Sequence, residues 1–248
     1  MKIGIIGVGH IGKTLAVKLA AAGHHVSVAN SGSSENIHPD VLATGAKAVT
    51  AGEALLDKEV IILSVPLNRI PDIAPFFAVV PENVTVIDTS NYYPVRDQKI
   101  ESIEAGMVES LWVKEQLGRT IAKAWNAIGS QSLEKNGKPT EVENRIAIPF
   151  AADRETDKNI TKQLIEDTGF DAFETGSLAD SWRQQPGAAI YCTDLTLNEI
   201  ESLINTAERE RLPARRDIAV AAIMERLNSA KANPDADFGL RLSRALYI

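Results

Sequence analysis

A six-residue turn constrains this chain more than any other feature. Gly7-Val8-Gly9-His10-Ile11-Gly12 follows the apolar run "KIGII" directly and opens a stripe of apolar residues at helical spacing. G-x-G-x-x-G alone is weak evidence. Placed between a strand and a helix, with a second strand at "HVSVAN", it specifies the first unit of a dinucleotide-binding fold. Gly7 permits the tight turn, Gly9 lets the main chain approach a pyrophosphate, and Gly12 lets the helix pack closely on the strand. Ile11, Leu15, Leu19 and Ala22 form the buried stripe, and Gly23 ends the helix. The start of such a helix offers unpaired N–H groups and a positive dipole end to phosphates. His10 sits inside the turn, facing either solvent or the phosphates.

Further strands are expected at 47–49, 60–65, 85–90 and 120–125, each an apolar run without strict alternation. That pattern suits a parallel sheet covered on both faces. "RIAIPFAAD" (145–153) and "FDAFE" (170–174), with a helix between them stopped by Gly169, extend the same sheet. Beyond residue 177 the strand signals fade. Leu197, Ile200, Leu203, Ile204 and Ala207 form a helical stripe, opened by Thr196 and Glu199 as a capping box. Residues 216–228 are apolar around much of a helix, which implies two buried sides, the second packed either on the chain's own core or in a homodimer contact through the C-terminal helices. The expected fold is α/β: a Rossmann-type, doubly wound, mainly parallel sheet with a smaller helical C-terminal region. A dinucleotide-binding Rossmann domain with its sheet extension would occupy 1–176, and the helical region 177–248.

Composition removes several functions. A formal net charge of −7, with no basic run, argues against non-specific nucleic-acid binding. Cys192 is the single cysteine, so neither an intrachain disulfide nor a Cys-based zinc site can form. No stretch reaches the roughly 18–20 apolar residues of a membrane span. The N-terminal run is broken by Gly7 and closed by His10 and Lys13, unlike a signal peptide. The expectation is a cytoplasmic protein with no membrane partner and no metal.

The loop after the second strand bears on the cofactor. NAD enzymes of this type place an acid there to hold the ribose hydroxyls, and that acid would repel the extra phosphate of NADP. Here the positions hold Asn30, Ser31, Gly32, Ser33 and Ser34, and the first acid is Glu35. Hydroxyls and loop N–H groups can receive a phosphate, which favours NADP over NAD. No Arg or Lys falls between Lys18 and Lys47 to add a charge-assisted bond. Ligands of open α/β sheets lie beyond the carboxyl ends of the strands. Those ends are Ser64, Val65 and Pro66 on the ribose side, with Thr89–Tyr92 and Lys123–Asn126 on the nicotinamide and acceptor side.

With "GIIGVGHIG", "ANS", "SVP", "DTSNYY", "AKAWNAI" and "GFDAFETGSL" in place, the chain resembles the NADPH-dependent coenzyme F-420 reductases from residue 1 to about 190. That family groups NADP:deazaflavin oxidoreductases with bacterial relatives and with the reductase domain of the STEAP metalloreductases. The resemblance implies hydride transfer between NADP and a flavin-like or deazaflavin acceptor such as F-420, FMN or FAD. It implies pyrophosphate binding at Gly7–Gly12, the 2'-phosphate on Ser31, and Val65-Pro66 packed beside the cofactor. Lys123, Trp125 and Asn126 match a Lys-Ala-Phe-Asn element near the nicotinamide, making Lys123 and Asn126 the candidate catalytic residues. Two departures stand out: Gly32 occupies a position where the family commonly has arginine, and the tail beyond about 190 exceeds the compact deazaflavin enzymes. Two other readings stay open. One is a small-substrate carbonyl or imine dehydrogenase using Lys123; the other is an NADP-binding regulatory or partner-binding protein without turnover.

Overall fold

The computed structural model describes residues 1–30, 32–228 and 235–248. Its centre is one eight-stranded sheet: β1 (Lys2–Ile6), β2 (His25–Ala29), β3 (Lys47–Ala48), β4 (Val60–Leu63), β5 (Thr85–Asp88), β6 (Ala122–Lys123), β7 (Ala147–Ala152) and β8 (Asp171–Glu174). Their spatial order is β3-β2-β1-β4-β5-β6-β7-β8. All neighbours pair in parallel except β6 and β7, which run antiparallel. Chain order reverses between β1 and β4, which makes the crevice beyond their carboxyl ends the topological switch point.

The apolar runs work because both sheet faces are covered. Val60 and Ile62 of β4 face one core with Leu15, Leu19, Leu164 and Phe170. Ile61 and Leu63 face the other with Leu67, Phe77, Trp112 and Val113. Helices α1 (His10–Ala21), α2 (Glu109–Leu117) and α3 (Glu155–Asp167) supply these covers. Gly23 and Gly169 follow their helices at φ +90° and +95°, a conformation that suits glycine as a helix stop.

After β8 the described chain is helical: α4 (Leu197–Leu203), α5 (Leu212–Arg226) and α6 (Ala236–Tyr247). The Thr196–Glu199 capping box forms as expected. The expectation of two buried sides on residues 216–228 is corrected within this chain. Only Leu212, Arg216 and Ala219 of α5 are buried, while Ile218 and Met224 are half exposed. Among the described residues no helix is long and apolar enough to cross a membrane.

Candidate active site

Backbone hydrogen bonds carry the sheet into its ligand end: Gly7 N–H reaches Ala29 O at 2.8 Å and Ser64 N–H reaches Ile6 O at 2.8 Å. A methyl group on Gly7 would lie 2.2 Å from Ser64 O, and Gly7 has φ +102°. On Gly12 it would lie 2.0 Å from Gly7 O. Both glycines are therefore demanded by packing. Gly9 differs, because nothing in the protein lies within 4 Å of its missing methyl. It caps α1, no side chain satisfies that helix start, and no acid stands in its first turn. An open main-chain cradle beside a positive helix end fits the pyrophosphate of a dinucleotide.

The loop beyond β2 is built largely for its own turn. Asn30 Oδ1 accepts Gly32 N–H at 3.0 Å, and Ser33 Oγ accepts Glu35 N–H at 3.3 Å. Ser34 begins the one-turn helix that Ser33 caps. Ser31, the residue matched to the 2'-phosphate, lies outside the described residues. Lys13, in the first turn of α1, reaches Asp40 at 3.5 Å, at the short helix that follows this loop.

A cleft of about 450 Å³ runs from the glycine turn to the C-terminal helices. Gly9, His10, Ile11, Ser64, Val65 and Pro66 line its cofactor end. Asn91, Tyr93, Trp125, Asn126, Tyr191 and Arg216 line its inner part. Gly7, Val8, Gly12, Asn30, Ser33 and Ser34 are not in the lining; Gly7 and Gly12 instead shape the turn behind it.

The two candidate catalytic residues separate. Lys123, the last residue of β6, is fully buried and does not line the cleft. In the sheet it stands directly opposite Asp88. Its Nζ donates to Asp88 Oδ2 at 2.6 Å and also to Ser90 O. Asp88 accepts Ser90 N–H and Ser90 Oγ–H as well, each at 3.0 Å. Lys123 thus ties down the loop after β5 from below.

Asn126 does line the cleft, but its side chain is committed. Its Nδ2 donates to Gln184 O at 2.8 Å and to Asn91 Oδ1 at 3.1 Å, while Oδ1 accepts Gln184 Nε2–H at 2.8 Å. The "GFDAFETGSL" segment acts here indirectly, since Thr175 Oγ donates to Gln184 Oε1 at 2.8 Å. Trp125 between them is fully buried at φ +55°, a rare conformation for a bulky side chain. Its indole N–H is buried with no acceptor among the described residues.

Sequence reasoning missed a hydroxyl pair. Tyr93 and Tyr191 oxygens lie 2.6 Å apart, and Asn91 Nδ2 donates to Tyr191 at 3.2 Å. Burial pushes both phenols above their ordinary range, so both stay protonated at neutral pH. Neighbouring Cys192 lines the same cleft, and burial pushes its thiol up to about 12, which makes it a poor nucleophile. The two tyrosines are far apart in sequence, so no local pattern announces them.

Comparison with known proteins gives the following. Residues 2–92 match the model of a family described as NADP oxidoreductase, coenzyme F420-dependent, in agreement with the resemblance read from the motifs. The match stops short of Lys123–Asn126 and of the C-terminal helices. The Escherichia coli (strain K12) protein YjhV is 40% identical over 62 residues, which is 25% of this chain and 45% of that protein. The chain therefore spans less than half of that curated relative. Hypothetical protein SMa0349 of Sinorhizobium meliloti is 27% identical, with a TM-score of 0.69 over 79% of this chain and 95% of that one. A structure from Arthrobacter sp. FB24, provisionally described as an F420-dependent NADP-reductase, has a TM-score of 0.54 at 15% identity over 72% and 86% of the two chains. At that identity the likeness is one of fold.

Proposed function

We propose that the whole protein is an NADP-dependent oxidoreductase, on the premise that residues 2–92 match the family model described as NADP oxidoreductase, coenzyme F420-dependent. One observation carries the reading: the open Gly9 cradle and the Trp125–Asn126 wall border the same cleft at the switch point. NADPH, when bound, supplies the hydride. The residues of the chain supply alignment, which contributes more to such a transfer than acid or base does. Gly9 and the α1 start would hold the pyrophosphate, and Ser64, Val65 and Pro66 would pack along the ribose side. Asn126, fixed by Gln184 and Asn91, and Lys123, fixed by Asp88, would act as positioning residues for the walls around the nicotinamide.

The acceptor we propose is a flat, flavin-like ring such as F-420, FMN or FAD, on the aromatic side of the cleft. Titration with NADPH and NADH, then loss of nicotinamide absorbance with each acceptor, tests this. Tighter binding of NADPH is expected, and Asn30→Asp should weaken NADPH relative to NADH; tighter binding of NADH by the wild type would overturn the cofactor assignment. Absence of turnover with every acceptor would leave a binding protein without chemistry. Self-association through the C-terminal helices belongs to the same proposal, supported by exposed Ile218 and Met224.

The tyrosine pair favours a second reading, reduction of a small carbonyl or imine, which needs a proton donor at the developing oxyanion or amine. The pair has two hydroxyl hydrogens and one mutual bond. Asn91 Nδ2 already donates to Tyr191, so one hydrogen has no oxygen or nitrogen acceptor among the described residues. Tyr191→Phe should lower kcat by roughly a hundredfold or more for a carbonyl acceptor. With a flavin acceptor the same change should stay within a few-fold. Equal effects on both would remove the proton-donor role.

A further inference from the structure

The cleft wall contributed by α5 carries a cation that the hydride-transfer reading does not use. Arg216 is 6% exposed, and its guanidinium stacks on the Tyr92 ring at 5.3 Å. Its Nε donates to Asp217 Oδ1 at 2.8 Å, but that carboxylate is 63% exposed and leaves the outer edge of the guanidinium untouched. Among the described residues no acceptor takes either terminal nitrogen. On that forked edge a guanidinium can donate two parallel bonds, and Arg216 lines the cleft.

Resting on the reading of this cleft as the hydride-transfer site, we propose that Arg216 anchors an anionic group, a carboxylate or a phosphate, on the hydride acceptor. The rest of that end suits an anion. Arg96 lines the same cleft, its own Asp97 held in a two-bond pair at 2.8 Å. The Tyr93–Tyr191 pair adds one spare hydroxyl hydrogen. The acids nearby are occupied or muted: Asp235 caps α6, and Asp194 accepts Ser132 Oγ–H at 2.6 Å while burial raises its pKa. Glu109, behind Tyr92, accepts its N–H at 3.0 Å and is pushed up by burial to about 7. Arg96 is committed to Asp97 and to Asn91 O, so among the described residues at that end it is Arg216 whose forked edge is unclaimed. Planar guanidinium matches carboxylate and phosphate with two parallel bonds, which lysine cannot reproduce.

The test measures binding by calorimetry to the NADP⁺-loaded protein, using probes paired by charge: FMN with riboflavin, and 2-oxobutyrate with its methyl ester. At least one anionic probe should bind tenfold or more tighter than its uncharged partner. Arg216→Gln should erase that difference with NADP⁺ affinity retained, and Arg216→Lys should keep part of it. Equal binding of both members of each pair to the wild type, binding by no anionic probe, or discrimination that survives Arg216→Gln would each overturn the proposal. Should the variant not fold, the wild-type comparison still decides. Failure of NADP⁺ to bind marks failure of the underlying reading instead, and the same pairs on the unloaded protein then report on Arg216 alone.

Discussion

Asp88→Ala should lower the free energy of unfolding by about 3–5 kcal/mol, read from the urea midpoint. The cause is the charge it strands. Asp88 and Lys123 face each other across β5 and β6, both fully buried, joined at 2.6 Å. Removing the carboxylate leaves the ammonium in the interior with only Ser90 O to receive it, and it also frees the Ser90 N–H and hydroxyl that Asp88 had accepted. Breaking a buried pair from one side costs far more than replacing both partners with apolar groups. The double variant Asp88→Ala, Lys123→Met should therefore recover most of the loss. If Asp88→Ala melts like the wild type, the pair is not what fixes the Ser90–Asn91 loop. The outcome also bears on chemistry. A fall in turnover for Lys123 variants would follow from displacement of Asn91, Trp125 and Asn126, because Lys123 Nζ does not reach the cleft. Such a fall should track lost stability rather than a pH profile.

That lysine marks where the sequence stops being informative. Its place at a strand end was legible, as were all eight strands; the inner ones, such as β1, β4 and β5, are continuous apolar runs because both faces are buried. The glycine turn was legible too, since each glycine answers a local steric demand within six residues. What lies across from Lys123 is a matter of register between strands 35 residues apart, and nothing in "TIAKAW" names Asp88. The same limit hid the tyrosine pair, separated by 98 positions, and Arg216, which meets the cleft only once α5 folds back over it. Asn126 stands out in the sequence only through its neighbours in the motif. The structure adds Gln184, which holds both ends of its amide, and so gives the "GFDAFETGSL" segment a supporting role. The α5 helix looked apolar on two sides because periodicity cannot tell a buried face from an exposed one.

The same steric reasoning yields a sharp functional separation at the glycine turn. Gly9→Ala should fold with stability within about 1 kcal/mol of the wild type, since Gly9 sits at φ −65° and ψ −172°, open to any residue, and its methyl would meet no protein atom. NADPH affinity should nevertheless drop by roughly ten- to a hundredfold, because the methyl fills the space where main-chain N–H groups approach the pyrophosphate, and each hydrogen bond to a charged group is worth about 1.5–3 kcal/mol. Fluorescence titration with NADPH beside a urea melt reads both quantities. Gly7→Ala and Gly12→Ala supply the contrast. Their methyls would stand 2.2 Å from Ser64 O and 2.0 Å from Gly7 O, so affinity should fall there together with the fold. Three glycines of one motif then divide into two that build the turn and one that leaves room for a ligand. A Gly9→Ala protein that binds NADPH as tightly as the wild type would place the phosphates away from the start of α1, and the cofactor end of the cleft would have to be reassigned.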